Sequence, residues 1–336
     1  MISRFRTAGL LSLLLGFVAC QTPQSTMAPA GPASGRINPL QWVVLILFCV
    51  IAFIMWVLLA WVATRRRGTL DFHEPWDVGG GQSWVLIGGF TIPFIVLFFL
   101  FVFGLENMAG FPVHDGMVKP EIRVVGHQWW WEIDYIGGRA DQQFITANEI
   151  HIPVGRPVDI ELATRDVIHS FWVPKLHGKV DLIPGQSNYI RIEADQPGIY
   201  HGECAEYCGQ QHAHMMLLVV ADNPDEYAAW IDQQLKPATQ PTTAEALHGR
   251  DVFMSGACIL CHTIRGTEAH GAVAPDLTHL ASRAGIAAES YDNNIANLEA
   301  WVTHAQSLKP GSEMPDLTEF TGTDLRALVT YLRELQ

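Results

Sequence analysis

Two thiols, two imidazoles and a thioether crowd into the twelve residues Cys204-Ala-Glu-Tyr-Cys208-Gly-Gln-Gln-His212-Ala-His214-Met215. A further histidine, His169, precedes Cys204 by 35 residues in a strand-like context. Soft sulfur and nitrogen donors with a weak thioether suit copper in an electron-transfer site. One copper would need one cysteine and two histidines. Two cysteines with two histidines suit two coppers bridged by both thiolates. A Cys204–Cys208 disulfide would leave the histidines and methionine incidental. A zinc site would use two cysteines and two histidines and ignore Met215.

Downstream, Cys258-Ile-Leu-Cys261-His262 is the attachment signature of a c-type haem. The thiols add to the haem vinyls and His262 supplies the proximal nitrogen. Met314, followed by Pro315, is the only methionine after His262. It is similar to the axial thioether of small cytochromes c, and a His/Met pair raises the reduction potential, which suits a donor. Pro275 resembles the proline of that family whose carbonyl orients the haem histidine. Met254 competes as a ligand, but it stands only four residues before Cys258. His270, His279 or His304 would give a bis-histidine haem instead. Without haem, the pair would read as a short disulfide in an exported chain.

These residues need elements to carry them. Arg4 and Arg6 precede the apolar run Ala8 to Val18, which ends in Ala19 and Cys20, so residues 1–20 read as an export signal. Phe17-Val18-Ala19-Cys20 looks like a lipoprotein cleavage box that would lipidate Cys20, and the alternative is a third membrane helix. Residues 21–40, rich in Pro, Ala, Ser and Thr, read as a tether. Residues 41–64 and 84–106 are apolar runs long enough to cross a bilayer. Arg65, Arg66 and Arg67 put the intervening loop, 65–83, on the cytoplasmic side. Pro93 inside the second run is tolerable in a membrane helix. The runs Trp42 to Ala63 and Trp84 to Leu105 carry none of the charged residues that mark a proton path.

From residue 107 to 235 short runs rich in β-branched and aromatic residues predict an all-β sandwich or barrel. The expected strands are Ile122 to Val125, Trp129 to Tyr135, Glu149 to Pro153, Val158 to Thr164, Tyr189 to Glu193 and His214 to Val220. A Pro/Thr linker, 236–243, leads to a helical domain at 244–336. There Thr321 to Asp324 resembles a capping box before Leu325, Leu328, Val329 and Leu332 at helical spacing.

The net charge is −13. Residues 106–243 carry 19 acids against 9 Lys and Arg, and residues 244–336 carry 12 against 6. Nucleic acid is excluded as a partner, because phosphate binding needs a basic face. A basic protein partner suits the field, and so does plain solubility.

The motif C-x-E-x-C-G-x-x-H-x-x-M, with His-Ser-Phe-Trp-Val-Pro at 169–174, resembles subunit II of cytochrome c oxidase. With the haem motif behind it, the whole chain is similar to a caa-type subunit II with a fused cytochrome c domain. The resemblance implies a multidomain membrane protein: a two-helix transmembrane hairpin, an all-β cupredoxin-like domain and an all-α class I cytochrome c domain. It implies a dinuclear copper centre, CuA, with Cys204 and Cys208 bridging and His169 and His212 each capping one copper. Met215 and the carbonyl of Glu206 would be weak axial ligands, and the Glu206 side chain would help hold magnesium against subunit I. His177, His201 and His214 match no ligand position. Gly126 to Trp131 matches an aromatic segment whose Trp129 would be the electron-input point; strand alternation would put Trp129 and Trp131 on one face. Gly88-Gly89 stand where many members carry a glutamate linked to proton uptake, so that role is not expected here. The implied partners are subunit I, subunit III and an external electron donor such as a cytochrome c, at the outer face of a bacterial inner membrane. Oxygen chemistry would lie in subunit I, since this chain has no histidine cluster within its spans. Two rival functions share these motifs: the electron-input subunit of a CuA-containing nitric oxide reductase, and a free-standing tethered carrier.

Overall fold

The computed structural model describes residues 22–65, 81–112, 116, 119–320 and 322–336. The export signal, Cys20, Arg66, Arg67 and Thr321 of the expected capping box lie outside the described residues. Gly35–Pro112 forms one compact unit, and the described residues before and after it form another.

The first unit holds two long apolar helices. Helix α1, Pro32–Thr64, runs 33 residues, and helix α2 spans Gly81–Ala109, with mean hydropathies of 3.2 and 2.7 over their most apolar windows. Nothing in those windows is buried within the protein, so the apolar surface needs a non-aqueous surrounding. Helix α1 begins at Pro32, so residues 32–40, expected as tether, are helical. A proline in the first turn costs nothing, because that N–H has no helical partner anyway. In α2 the five residues Ile87–Thr91 form a π turn directly before Pro93. Pro93 cannot donate and its ring crowds the carbonyl four residues back. The wider turn takes up that misfit, and the Thr91 hydroxyl donates to the Leu86 carbonyl at 3.1 Å.

The second unit begins on the sandwich. The Ala30 N–H and the Ser34 hydroxyl both donate to the Lys175 carbonyl, at 2.7 and 2.6 Å. Among the described residues the sandwich has ten strands: β1 Ile122–His127, β2 Trp130–Tyr135, β3 Phe144–Ala147, β4 Glu149–Pro153, β5 Val158–Thr164, β6 His169–Trp172, β7 Val180–Leu182, β8 Asn188–Ile192, β9 Gly198–Cys204 and β10 Met216–Asp222. One sheet runs β3-β2-β1-β5-β8 and the other β4-β10-β9-β6-β7. Alternating apolar residues such as Val124, Ile133, Ile160, Leu162, Phe171, Leu217 and Val219 fill the space between.

Three strands, β3, β7 and β9, were not among those expected, and β6 was foreseen only as the strand-like context of His169. They are short or interrupted by polar and glycine residues, which weakens the period-2 signal. The expected strand start at His214 moves to Met216, because His212–His214 closes a 3₁₀ turn. Trp129 is not in a strand at all. His127 pairs with Trp130 across the β1–β2 ladder, so Gln128 and Trp129 are the two turn residues of a hairpin. The expected shared face for Trp129 and Trp131 is therefore corrected. Trp131 is fully buried in the core, while Trp129 stands at the sandwich end.

The C-terminal domain is helical, as expected, with one added two-stranded pair, β11 Gly285–Ile286 with β12 Tyr291–Asp292. Helices Ala244–Ser255 and Gly322–Glu334 cross at Gly249, where any Cβ would collide with the Ala327 carbonyl. Phe253 meets Tyr331 edge-on at 6.0 Å beside that crossing. The Thr243 hydroxyl caps the first helix, accepting from the Ala246 N–H at 3.1 Å. The linker at 236–243 is not free: Ala238 is buried and its N–H donates to the Arg265 carbonyl at 2.9 Å.

Candidate copper and haem centres

Strand β6 carries His169 inward, where it is fully buried. Gly126 on β1 makes the room: a Cβ there would approach the His169 ring to 2.7 Å. The ring is oriented by Asp166, whose carboxylate lies 2.7 Å from His169 Nε2 and also accepts N–H bonds from Gln128 and Val167, each at 2.6 Å. With Nε2 so engaged, Nδ1 faces Cys204 Sγ at 3.9 Å. Burial pushes the His169 pKa down, but the bonds to Asp166 and Cys204 outweigh it and leave the pKa raised. Burial pushes the Asp166 carboxyl up, but its bonds from His169, Val167 and Gln128 together outweigh that and leave it lowered.

The loop from the end of β9 to the start of β10 supplies the other donors. Cys204 Sγ and Cys208 Sγ are 3.8 Å apart and unbonded. A disulfide needs about 2.05 Å. His212 Nδ1 lies 3.6 Å from Cys208 Sγ, Met215 Sδ lies 3.8 Å from the same sulfur, and the Glu206 carbonyl is 3.2 Å from Cys204 Sγ. Met215 is fully buried. The Cys208 thiol, then the His169 ring and neighbouring backbone, hold the Cys204 thiol far below its ordinary range. All six donors singled out in the sequence therefore converge. Thiolates, imidazoles, one thioether and one carbonyl are a copper donor set, and the inclusion of Met215 disfavours zinc. Asp166 carries no motif in the sequence. Only the turn between β5 and β6 brings it under the imidazole.

The haem residues line a cavity of about 440 Å³ in the helical domain. Cys258, Cys261, His262 and Met314 all face it, with Phe253, Leu298, Val302 and Leu328 supplying an apolar wall. Cys258 and Cys261 are free thiols at the ends of a single helical turn. His262 Nδ1 lies 2.7 Å from the Pro275 carbonyl, the partner expected of it, which leaves Nε2 for iron. Burial lowers the His262 pKa, which keeps the imidazole neutral as a ligand must be. The rival ligands are elsewhere. Met254 packs in the helical core, His279 Nε2 bonds the Lys236 carbonyl at 3.1 Å, His304 Nδ1 bonds the Thr303 hydroxyl at 2.7 Å, and His270 is exposed.

The two centres share a wall. Trp129 and Trp130 also line the haem cavity. Trp129 Nε1 donates to the Cys208 carbonyl at 3.1 Å, and Gln128 Nε2 donates to it at 2.7 Å. Lys309, which no motif marked, lines the same cavity from the helical side.

Comparison with known proteins agrees with both halves. Residues 138–222 match the family described as cytochrome c oxidase subunit II, periplasmic domain, and residues 246–336 match cytochrome c. Cytochrome c oxidase subunit 2 of Alkalihalophilus pseudofirmus is 36% identical over 342 residues, 99% of this chain and 97% of that protein. Its counterpart in Bacillus subtilis is 26% identical, covering 100% of this chain and 99% of that protein. The solved periplasmic domain of subunit II from Bradyrhizobium japonicum aligns with 37% of this chain and 95% of its own, at 28% identity and a TM-score of 0.32. A copper domain, a haem c domain and two exposed apolar helices stand in one polypeptide, in the order of relatives that match from end to end. This chain is thus a membrane protein with periplasmic domains that associates with subunit I, and it belongs to the cytochrome c oxidase subunit II family, in the caa-type form with a fused cytochrome c domain.

Proposed function

We propose that this electron-input subunit holds two coppers through Cys204, Cys208, His169, His212, Met215 and the Glu206 carbonyl, and one haem c through Cys258, Cys261, His262 and Met314. The observation that carries the reading is the convergence of the copper donors, from positions 169 to 215, each within 3.9 Å of one of the two cysteine sulfurs. Copper and haem, when bound, supply one-electron redox chemistry. The chain's own residues do the rest. Asp166 orients one imidazole and Pro275 another. The apolar walls exclude water, which keeps reorganisation on electron transfer small. Trp129, between the haem cavity and the Cys208 backbone, is the residue through which the two centres are coupled.

Oxygen reduction and proton translocation belong to the oxidase complex, with the oxygen chemistry in subunit I. The exposed Glu206 and Tyr207 beside the copper donors suit the face that subunit I covers, with magnesium held by the Glu206 side chain there. Residues 1–20 serve as export signal, and the two helices cross a bacterial inner membrane as a hairpin with Arg65 on the cytoplasmic side. Subunit III completes the complex, and the acidic exported portion takes electrons from a basic donor such as a cytochrome c. Metal and haem analysis of the purified oxidase tests this. Two coppers in this subunit with hyperfine coupling to two equivalent nuclei, and one covalent haem on it, are expected. A single copper, or zinc, would refute the ligand assignment.

A further inference from the structure

Lys309 is the sole lysine of residues 244–336. It follows the helix Ile295–Leu308 and is 3% exposed. Its ammonium donates to three backbone carbonyls: Trp129 at 2.8 Å, His214 at 2.7 Å and Ala287 at 2.8 Å. An ammonium has three donors, so its capacity is met in full. Two acceptors belong to the copper-binding domain and one to the haem-binding domain. A buried cation is costly unless it is fully bonded, so this array is available only while the domains are together.

The surrounding contacts follow the same seam. Gln211 Nε2 donates to the Pro310 carbonyl at 2.8 Å, and the Ser290 hydroxyl donates to the His214 carbonyl at 3.1 Å. The Met216 N–H donates to the Ala288 carbonyl at 3.3 Å. Gly311, at φ +82, lies against the Trp129 ring, where a Cβ would stand 3.5 Å from Cη2. Trp129 is thus held at both ends: its carbonyl by Lys309 of the haem-binding domain, and its indole N–H by the Cys208 carbonyl of the copper loop.

From this juxtaposition we propose that Lys309 is a positioning residue for electron transfer: its ammonium pins the haem-binding domain over the Trp129 hairpin, holding the haem cavity against the copper loop. The proposal rests on the function given above. The three bonds of the Lys309 ammonium go to main-chain carbonyls of residues that are not ligands. The lysine acts by keeping two domains, joined by an eight-residue segment, in one arrangement during each transfer.

The test uses the intact oxidase, with transfer from haem c to copper followed after photochemical reduction of the haem. In Lys309→Met the rate should fall about tenfold or more and become slower in added glycerol. The parent rate should not depend on viscosity. The haem and copper spectra should be unchanged, any shift in the two reduction potentials should be too small to account for the rate loss, and Lys309→Arg should recover part of the rate. An unchanged, viscosity-independent rate in Lys309→Met overturns the proposal, as does a rate loss explained wholly by shifted potentials. If Lys309→Met loses haem or copper, Lys309→Gln carries the test, since it keeps a polar donor but not the three-carbonyl array of the ammonium: a slower, viscosity-sensitive rate supports the pin, and the parent rate overturns it. A parent oxidase whose subunit II lacks haem c or copper would instead refute the functional reading.

Discussion

Trp129 Nε1 donates to the main-chain carbonyl of Cys208 at 3.1 Å, so an indole on a hairpin turn is bonded to the backbone of a copper-site thiol. The same indole lines the haem cavity. In Trp129→Phe the ring remains and the N–H is lost. The Cys208 carbonyl keeps its bond from Gln128, so stability should fall by only about 1 kcal/mol. Copper content should be unchanged while electron transfer from haem c to copper slows. Rapid kinetics on the copper-loaded variant checks this, and a rate equal to the parent's would remove Trp129 from the coupling.

Met215→Leu separates a ligand from a packing residue. Met215 is fully buried, and an apolar swap of similar volume costs less than about 1.5 kcal/mol. Copper should stay bound, because a thioether is the weakest donor in the set, while the potential and the visible spectrum shift. Complete loss of copper would contradict the weak axial role.

Asp166→Asn tests the orienting carboxylate. Gln128 and Val167 donate to different carboxylate oxygens, so the amide keeps an acceptor for only one of them, and it loses the charge that supports His169. Copper affinity should drop by roughly 10- to 100-fold, read by competition with a chelator. An unaltered affinity would show that packing against Gly126 alone suffices to aim the ring.

Met314→Ala should leave haem attached, since Cys258 and Cys261 carry the covalent links, but lower the reduction potential substantially. Spectroelectrochemical titration reads the change. A potential that does not move would mean that another side chain provides the sixth ligand.

Glu289 lies beside the Lys309 seam, and its pKa is pushed up to about 8, first by burial and then by the Glu149 carboxylate, against Arg283. Its Oε1 has no hydrogen-bond partner. An unfolded glutamate loses its proton near 4.5, whereas this one keeps it until about 8 in the folded chain. The native state therefore binds more protons across that window, and stability falls as pH rises from about 4.5 to about 8. The fall should amount to a few kcal/mol at most, and Glu289→Gln should flatten it. Urea unfolding of the chain at several pH values, followed by haem absorbance, measures the slope.

Much of the chemistry is legible in the linear chain. Cys204, Cys208, His212 and Met215 stand close enough in sequence that any turn gathers them, and Cys258-Ile-Leu-Cys261-His262 is local by nature. The apolar runs announce themselves by length, although helix α1 starts earlier, at Pro32, and runs through Pro39 in its interior, against the local preference of proline. Tertiary structure decided the rest. Trp129 left its expected strand because pairing of His127 with Trp130 made it a turn residue, and hairpin register depends on partner strands that no local period reports. Asp166 meets His169 only through the turn between two strands. Lys309 gained its meaning when a helix end met two carbonyls some 95 and 180 residues away in the chain. Covalent spacing can group donors along a segment. The fields and hydrogen bonds that orient those donors come from residues distant in sequence, and only packing makes them neighbours.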